Sequence, residues 1–180
     1  MKHDWSKWCG PVGTRILGAV LWGAMLVSCG KEEAKPSTTP PNTTPTRDQY
    51  LALGNPSGAT ADASQPFNYL LSKPQYALSY HRDRGIPNWV SWHLSSAWLG
   101  SASRQDDFRA DNSLPSGWYQ VTASSYTGSG FDRGHNCPSA DRTAAVADNS
   151  ATFLMTNMLP QAPRNNQQTW LAWRTTAARW

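Results

Sequence analysis

Three short polar motifs between Asp132 and Trp170 constrain what this chain can fold into and what it can do. They read DRGH at 132–135, TNMLPQ at 156–161 and NxxxW at 166–170. Histidine has an unperturbed pKa near neutrality and can accept a proton from water. Arginine offers a planar fork of donors to phosphate oxygens, and the amide oxygen of asparagine suits a water-rich magnesium ion. A histidine between an arginine and two later asparagines therefore indicates chemistry on a phosphodiester.

The three motifs, with CPSADRT following DRGH, resemble the DNA/RNA non-specific endonucleases, the ββα-metal nucleases. DRGH alone is weak support, because a second DRG at 83–85 is followed by isoleucine. Three motifs in the right order are more specific. The resemblance runs from about Asn68 to Trp170. It implies an α+β fold with a central antiparallel sheet, flanking helices and a strand–strand–helix unit around one metal ion.

The resemblance also implies a role for each motif residue. His135 is expected to act as the general base, and Asn166 to hold Mg²⁺ or another divalent cation such as Mn²⁺. Arg133 is expected to hold the phosphate, Asn157 to orient the site and Asp132 to be a structural partner. The alternatives are an ordinary Asp132–Arg133 ion pair beside a turn histidine, a strand cap at Asn157 and a helix cap at Asn166.

A further arginine that contacts phosphate is expected in the polar loop at 101–125, where a segment resembles the family more loosely. Arg104 is favoured over Arg109. The alternative is a solvated surface arginine. Neither of the nearby histidines, His81 and His93, has a second chemical group beside it, so both are expected to be structural.

The chain is thus predicted to be a magnesium-dependent endonuclease that hydrolyses DNA and RNA largely regardless of sequence. A nuclease-like envelope module that binds nucleic acid without cutting it is the alternative. A Ser-His-Asp hydrolase is disfavoured because no GxSxG motif is present. A nucleophilic pair of Cys137 and His135 is disfavoured as well, because the resemblance gives Cys137 only a packing role. One remaining cysteine and three scattered histidines also provide no zinc cluster.

The N-terminus is predicted to be a lipoprotein signal peptide over residues 1–28. Basic residues precede the apolar run 16–27, which is shorter than the roughly 20 residues that span a bilayer. The sequence LVSC at 26–29 resembles a bacterial lipobox, which implies cleavage before Cys29 and lipidation of its thiol. We therefore expect a protein of the bacterial cell envelope, anchored to the membrane through Cys29 on the periplasmic face or outer surface, or secreted.

Residues 29–48 are rich in proline and threonine, lack large apolar side chains and are expected to form a tether. Residues 49–180 are then one endonuclease domain. Removal of the signal peptide takes three basic residues and one acidic residue with it, which lowers the formal net charge from +4 to +2. This mild positive charge is compatible with nucleic-acid binding but does not argue strongly for it.

Apolar patterns predict four short strands, at 68–71, 76–80, 89–94 and 152–157. A turn at 85–88 is expected to join the second strand to the third. A helix is predicted to follow with Asn165 as its N-cap. In that helix Asn166 and Trp170, four residues apart, share one face.

The end of the chain departs from the family pattern. Members usually continue the metal helix as NxxxWxxxE, whose glutamate orients a metal-bound water, but Arg174 stands at that position. A cation there is expected to repel the metal ion. If 173–177 is encoded TGG-AGG-ACT-ACT-GCC, the frame one base upstream encodes Glu-Asp-Tyr-Cys, beginning at position 174. We therefore expect a frameshifted tail up to Trp180, a missing C-terminal part of the domain, and an inactive or poorly folded chain.

Overall fold

The computed structural model describes residues 50–177. The predicted signal peptide and tether, including Cys29, lie outside the described residues, as do the last three residues of the tail. Within the described range, no helix has the length and apolar character needed to cross a membrane.

Three consecutive strands form one antiparallel sheet. They are β1 (Tyr69–Ser72), β2 (Ala77–His81) and β3 (Ile86–Ser91), in the order β1-β2-β3. Leu78, in the central strand, lies opposite Leu71 on one side and Val90 on the other, so apolar side chains meet across all three strands. The predictions of β1 and β2 are correct to within one residue.

The predicted turn at 85–88 is wrong, and β3 begins three residues before the predicted strand. The turn closes earlier because Gly85 has a φ of +66°, a left-handed conformation that glycine adopts without strain. Its N–H donates to the backbone oxygen of His81. Pro87 is then part of β3, where it lies opposite Tyr80 beside an irregularity in the pairing.

The hydrophobic core lies against this sheet and includes Cys137. The other buried members of the cluster are Leu71, Tyr76, Leu78, Tyr80 and Leu114. The Cys137 thiol is free and fully buried, and burial raises its pKa to about 12. Its place in the core confirms the packing role expected for Cys137, and a buried, neutral thiol disfavours the Cys–His alternative.

A second antiparallel sheet contains the DRGH motif. Strand β4 (Asp132–His135) pairs with β5 (Met158–Gln161), with His135 opposite Met158. The strand predicted at 152–157 is wrong: helix α1 (Val146–Ala151) ends there and a turn of 3₁₀ helix covers Met155–Asn157. Local bonds from side chains to the backbone, such as that from Asn157 to the carbonyl of Thr152, favour this turn over a strand.

The last helical segment starts at Pro163, so Asn165 does not cap it. Proline suits a first turn because its missing N–H would have had no intrahelical partner. The segment continues as a π-helical turn (Asn165–Thr169) and then as α2 (Trp170–Ala177). The α+β class is confirmed. In the described residues the predicted central sheet is divided into two antiparallel sheets, with this helical segment beside the second.

Candidate active site

A cavity of about 410 Å³ lies along β4 and is the candidate active site. Its polar and charged lining includes Arg104, Asp106, Asp132, Arg133 and Asn166, and its aromatic lining Phe108, Tyr126 and Phe131. Four of the residues predicted from the sequence, one of them far from the motifs in the chain, therefore converge on one cavity. His135 does not line this cavity itself, but its ring contacts Phe108, which does.

The imidazole of His135 is buried, with only 4% of the residue exposed. The ring packs edge-on against Phe108 and Phe153, with centroid distances of 5.6 and 4.8 Å. Its Nε2 atom has no hydrogen-bond partner among the described residues. Burial, followed by the positive charges of Arg104 and Arg174, lowers the pKa of His135 to about 3. The ring is therefore neutral at working pH, and the same burial and cations make it a weak base in this state.

This low pKa makes the stability of the fold sensitive to acid. Unfolding returns His135 to a pKa near 6.5, so between about pH 6.5 and 3 the unfolded chain binds the extra proton and stability falls as the pH falls. At about pH 4 the loss from this group is on the order of 3 kcal/mol. Denaturant unfolding at pH 7 and pH 4 should show a smaller loss for His135→Gln than for the wild type. Equal losses of stability in the two proteins would contradict the lowered pKa of His135.

Gly134 lies against the side chain of Gln161. A Cβ atom built at this position would lie 2.3–2.5 Å from the Cδ, Cγ and Oε1 atoms of Gln161, so any other residue here would require the Gln161 side chain to move. Gln161 comes from β5, opposite Asp132. The glycine of the DRGH motif thus leaves room for the position that the Gln161 side chain occupies.

Asn157 holds the chain immediately after His135. Its Nδ2 donates to the backbone oxygens of Cys137 and Thr152, and its Oδ1 accepts from the N–H of Cys137, all at 2.9–3.0 Å. The residue is fully buried and does not line the cavity. Its amide is fully used by backbone groups, so Asn157 can orient the site but does not reach a substrate.

Arg104 and Arg133 present guanidinium groups to the cavity. Arg104 donates to Asp106 Oδ1 at 2.7 Å and to Ser139 Oγ at 3.0 Å. Asp106 has a φ of +50°, a left-handed conformation that few residues other than glycine adopt. The guanidinium of Arg133 stacks on the ring of Phe108 at 4.0 Å. Both arginines keep donors available for a phosphate group.

Arg109, the alternative to Arg104, is bound to neighbouring groups of the fold. It donates to Asp107 Oδ2 at 2.6 Å and to the backbone oxygen of Ser150 at 2.9 Å. It is not part of the cavity lining. The structure therefore favours Arg104 of the two candidates.

The helical segment contacts β4 through two of the motif residues. Asn166 Nδ2 and Gln167 Nε2 both donate to Asp132 Oδ2, at 3.0 and 2.8 Å, and these bonds lower the pKa of Asp132. Trp170 Nε1 donates to the backbone oxygen of His135 at 3.1 Å. Strand, strand and helix are therefore joined by hydrogen bonds around the cavity.

These contacts define how the site could hold a metal ion. Because Asn166 Nδ2 is committed to Asp132, its Oδ1 is the atom left for a ligand, and the Asp132 carboxylate lies beside it. No group of three or more His, Cys, Asp or Glu residues that could enclose an ion occurs in the described part of the chain. Hard oxygen donors in small number fit a divalent ion that keeps most of its waters.

Two residues of the site were not found by sequence reasoning. Phe108 contacts His135, stacks under the guanidinium of Arg133 and lines the cavity, but the loose resemblance of the segment 108–111 gave it no role. Asp111 is buried, accepts from Lys73 and Thr156, and so ties the polar loop to the turn that carries Asn157. A buried acidic residue in a polar loop gives no signal that distinguishes it from its exposed neighbours.

The two-sheet fold and the helical segment beside the second sheet place this chain in the ββα-metal nuclease fold class. A solved complex of EndoG with EndoGI contains a chain similar to this one, with a TM-score of 0.63 and 27% identity over 76% of this chain and 54% of that chain. The sequence model of the DNA/RNA non-specific endonucleases matches residues 56–173. This chain belongs to that family.

Curated relatives carry nuclease names. A nuclease of Nostoc sp. is 53% identical over 164 residues, which are 90% of this chain and 57% of the relative. Human mitochondrial endonuclease G is 38% identical over 104 residues, which are 56% of this chain and 34% of the relative. The chain thus spans little more than half, or less, of the length of these relatives.

Proposed function

We propose that this chain is a divalent-metal-dependent endonuclease that hydrolyses phosphodiester bonds in DNA and RNA without sequence preference. The observation that carries the proposal is a buried, neutral histidine with an unpartnered Nε2, next to a cavity lined by two arginines and an asparagine. The names of the relatives support the same activity.

His135 would accept the proton of the attacking water at Nε2. Because this atom is closed to solvent, a neighbouring side chain would shift as substrate enters, and Phe108, which contacts the imidazole and lines the cavity, is placed to do so. Arg133 and Arg104 would orient the phosphate through their free donors. Trp170 would keep the His135 backbone in place through its hydrogen bond, and Asn157 would hold the backbone of Cys137, two residues later.

Asn166 Oδ1 would hold the metal ion, for which Mg²⁺ is the first choice and Mn²⁺ a substitute, with Asp132 fixing the amide. When bound, a divalent ion supplies charge that stabilises the phosphorane-like transition state and the leaving 3′ oxygen. Departure of the 3′ oxygen would leave 5′ phosphates on the products.

An assay of plasmid DNA and of RNA, with and without EDTA, tests this proposal. Shortened products that disappear with EDTA would support it. The second candidate, an envelope module that binds nucleic acid without cutting, is favoured by Arg174 in α2, whose positive charge disfavours protonation of His135. Such a protein would shift nucleic acid in a gel but leave its length unchanged.

Changing Asn166 to alanine should weaken metal binding by about 10-fold to 100-fold, so remaining cleavage should require more Mg²⁺. The physical reason is that an ion with few protein ligands loses a large share of them when one is removed. Cleavage rates measured across a Mg²⁺ titration provide the test.

Gln167→Ala is the matched control. Gln167 donates to the same Asp132 oxygen, but it does not line the cavity. Its Mg²⁺ dependence should stay near that of the wild type. An unchanged Mg²⁺ dependence in the Asn166 variant would place the metal elsewhere.

We also propose that Cys29 anchors the protein to the envelope membrane through a lipid. Changing Cys29 to serine removes the thiol that would be acylated, and should release the protein from the membrane fraction. Fractionation followed by immunoblotting measures this. If the variant still sediments with membranes, the apolar run Ile16–Val27 is itself the anchor.

A further inference from the structure

A second cavity, of about 350 Å³, adjoins the active-site cavity. The two share Tyr126 and Phe131 as walls. Arg84, Tyr119 and Pro160 also line the second cavity but not the first. The shared walls mean that a ligand with a phosphate in the first cavity can extend a neighbouring group into the second.

Aromatic rings in this second cavity are unusually accessible. Tyr119 is 66% exposed and Phe131 is 51% exposed. The Tyr119 hydroxyl is 3.0 Å from Ser125 Oγ, which restrains one ring. Large exposed aromatic side chains that share a cavity indicate a binding surface. Aromatic side chains beside a phosphate-binding groove are typical of sites where bases of a single strand stack.

The turn before β3 brings a cation to the same cavity. Gly85 approaches Val121 so closely that a Cβ atom built on it would lie 2.7 Å from Cγ2 of that valine. This close approach packs the turn against the loop that carries Tyr119, and places Arg84 in the lining. Within the described residues, no ion pair is formed by the Arg84 guanidinium, which leaves its charge available for a phosphate.

We propose that this second cavity is a nucleobase subsite. It would receive the base of a nucleotide next to the scissile phosphate, stacked on Phe131 and Tyr119, with Arg84 near the following phosphate. This inference rests on the proposed function, because it assumes a nucleic-acid strand in the first cavity. Stacking uses the face of a base rather than its hydrogen-bonding edge, so such a subsite tolerates any sequence. It also requires a base that is unstacked, which favours single-stranded over duplex substrate.

An abasic scan of a short single-stranded oligonucleotide tests the subsite. Binding of the full-length protein is measured by fluorescence anisotropy in EDTA, with one base at a time replaced by a tetrahydrofuran unit. In the wild type, one position should weaken binding by about 5-fold to 150-fold, the range for the loss of a stacked base. In the double variant Tyr119→Ala, Phe131→Ala that position should no longer differ from its neighbours.

Two variants serve as controls. Phe67→Ala removes a phenyl ring of nearly equal exposure, 52%, that does not line the cavity, and it should keep the wild-type abasic penalty. Tyr119→Phe keeps the ring and removes only the hydroxyl, so it should keep the penalty too. Thermal unfolding of each protein establishes that it is folded.

The outcomes separate the two proposals. An abasic penalty of the same size in the wild type and the double variant, or no penalty at any position, would overturn the nucleobase subsite. Binding with the expected penalty but without metal-dependent cleavage would support the subsite while contradicting the endonuclease activity. A wild-type protein that binds no oligonucleotide in EDTA would overturn the subsite, and the cleavage assay with and without EDTA tests the endonuclease activity separately.

Discussion

Replacement of His135 by alanine is expected to lower the rate of metal-dependent cleavage by about 100-fold to 10,000-fold, the usual contribution of a general base. The residue has a neutral ring at working pH and an unpartnered Nε2, and no other histidine lies against the active-site cavity in the described residues. Nicking of supercoiled plasmid at saturating Mg²⁺ measures the loss. Activity near that of the wild type would contradict the assignment of His135 as the general base.

His135 also has a packing role, which the experiment must separate from catalysis. Its ring fills the space between Phe108 and Phe153, so alanine leaves a gap and costs some stability. His135→Gln retains most of the side-chain volume but provides no nitrogen that can accept a proton. If both variants unfold at a similar temperature to the wild type and both fail to cut, the loss is chemical.

The sequence was sufficient to predict which residues meet. Arg133, His135 and Asn166 were expected at one site, and the hydrogen bonds from the helical segment to β4 place them there. The prediction succeeded because the side chains of the motifs are themselves the groups that the chemistry requires. It also succeeded because Asn166 and Trp170 are separated by about one helical turn. The lone buried thiol of Cys137 was also predictable, since it has no partner cysteine within the domain.

The sequence could not predict features that depend on contacts made at a distance. The apolar run ending at Asn157 has the composition of a strand, but bonds from its side chains to the backbone close a turn instead. The pKa of His135 follows from burial and from cations that come from separate segments. Phe108 became recognisable only once its ring was found between Arg133 and His135.

Arg174 stands where the resemblance expects a glutamate, and its surroundings make it electrostatically unfavourable. It lies four residues after Trp170 and is half-buried in α2. It lines a cavity of about 470 Å³ together with Arg104 and Asp141. Burial and the charge of Arg104 lower the pKa of Arg174, while Asp141 acts in the opposite direction, and Arg174 in turn helps to lower the pKa of His135. Arg104 also lines the active-site cavity, so the like charges of Arg104 and Arg174 would oppose the binding of a cation in that cavity.

We propose that the tail after about Ala172 is read in a shifted frame, since the frame one base upstream can encode a glutamate at position 174. The family match ends at Trp173, which is compatible with this proposal. Sequencing the gene decides the matter. A stop codon directly after the Trp173 codon in the upstream frame would contradict it.

Changing Arg174 to glutamate is therefore expected to increase Mg²⁺-dependent cleavage by about 10-fold to 100-fold, the usual effect of a residue that orients a metal ligand from outside the coordination shell. The change removes a cation that opposes the ion and adds an acceptor that can orient a metal-bound water.

Arg174→Ala separates these effects, since it removes the cation alone and should give a smaller gain. Thr176→Glu lowers the net charge by the same amount as Arg174→Ala, on an exposed part of α2 that lies outside the cavity lining, so it should give little gain. Cleavage rates across a Mg²⁺ titration measure all three variants. A gain for Thr176→Glu equal to that of Arg174→Ala would mean that only net charge matters, whereas no gain for Arg174→Glu would mean that position 174 does not limit the activity of this chain.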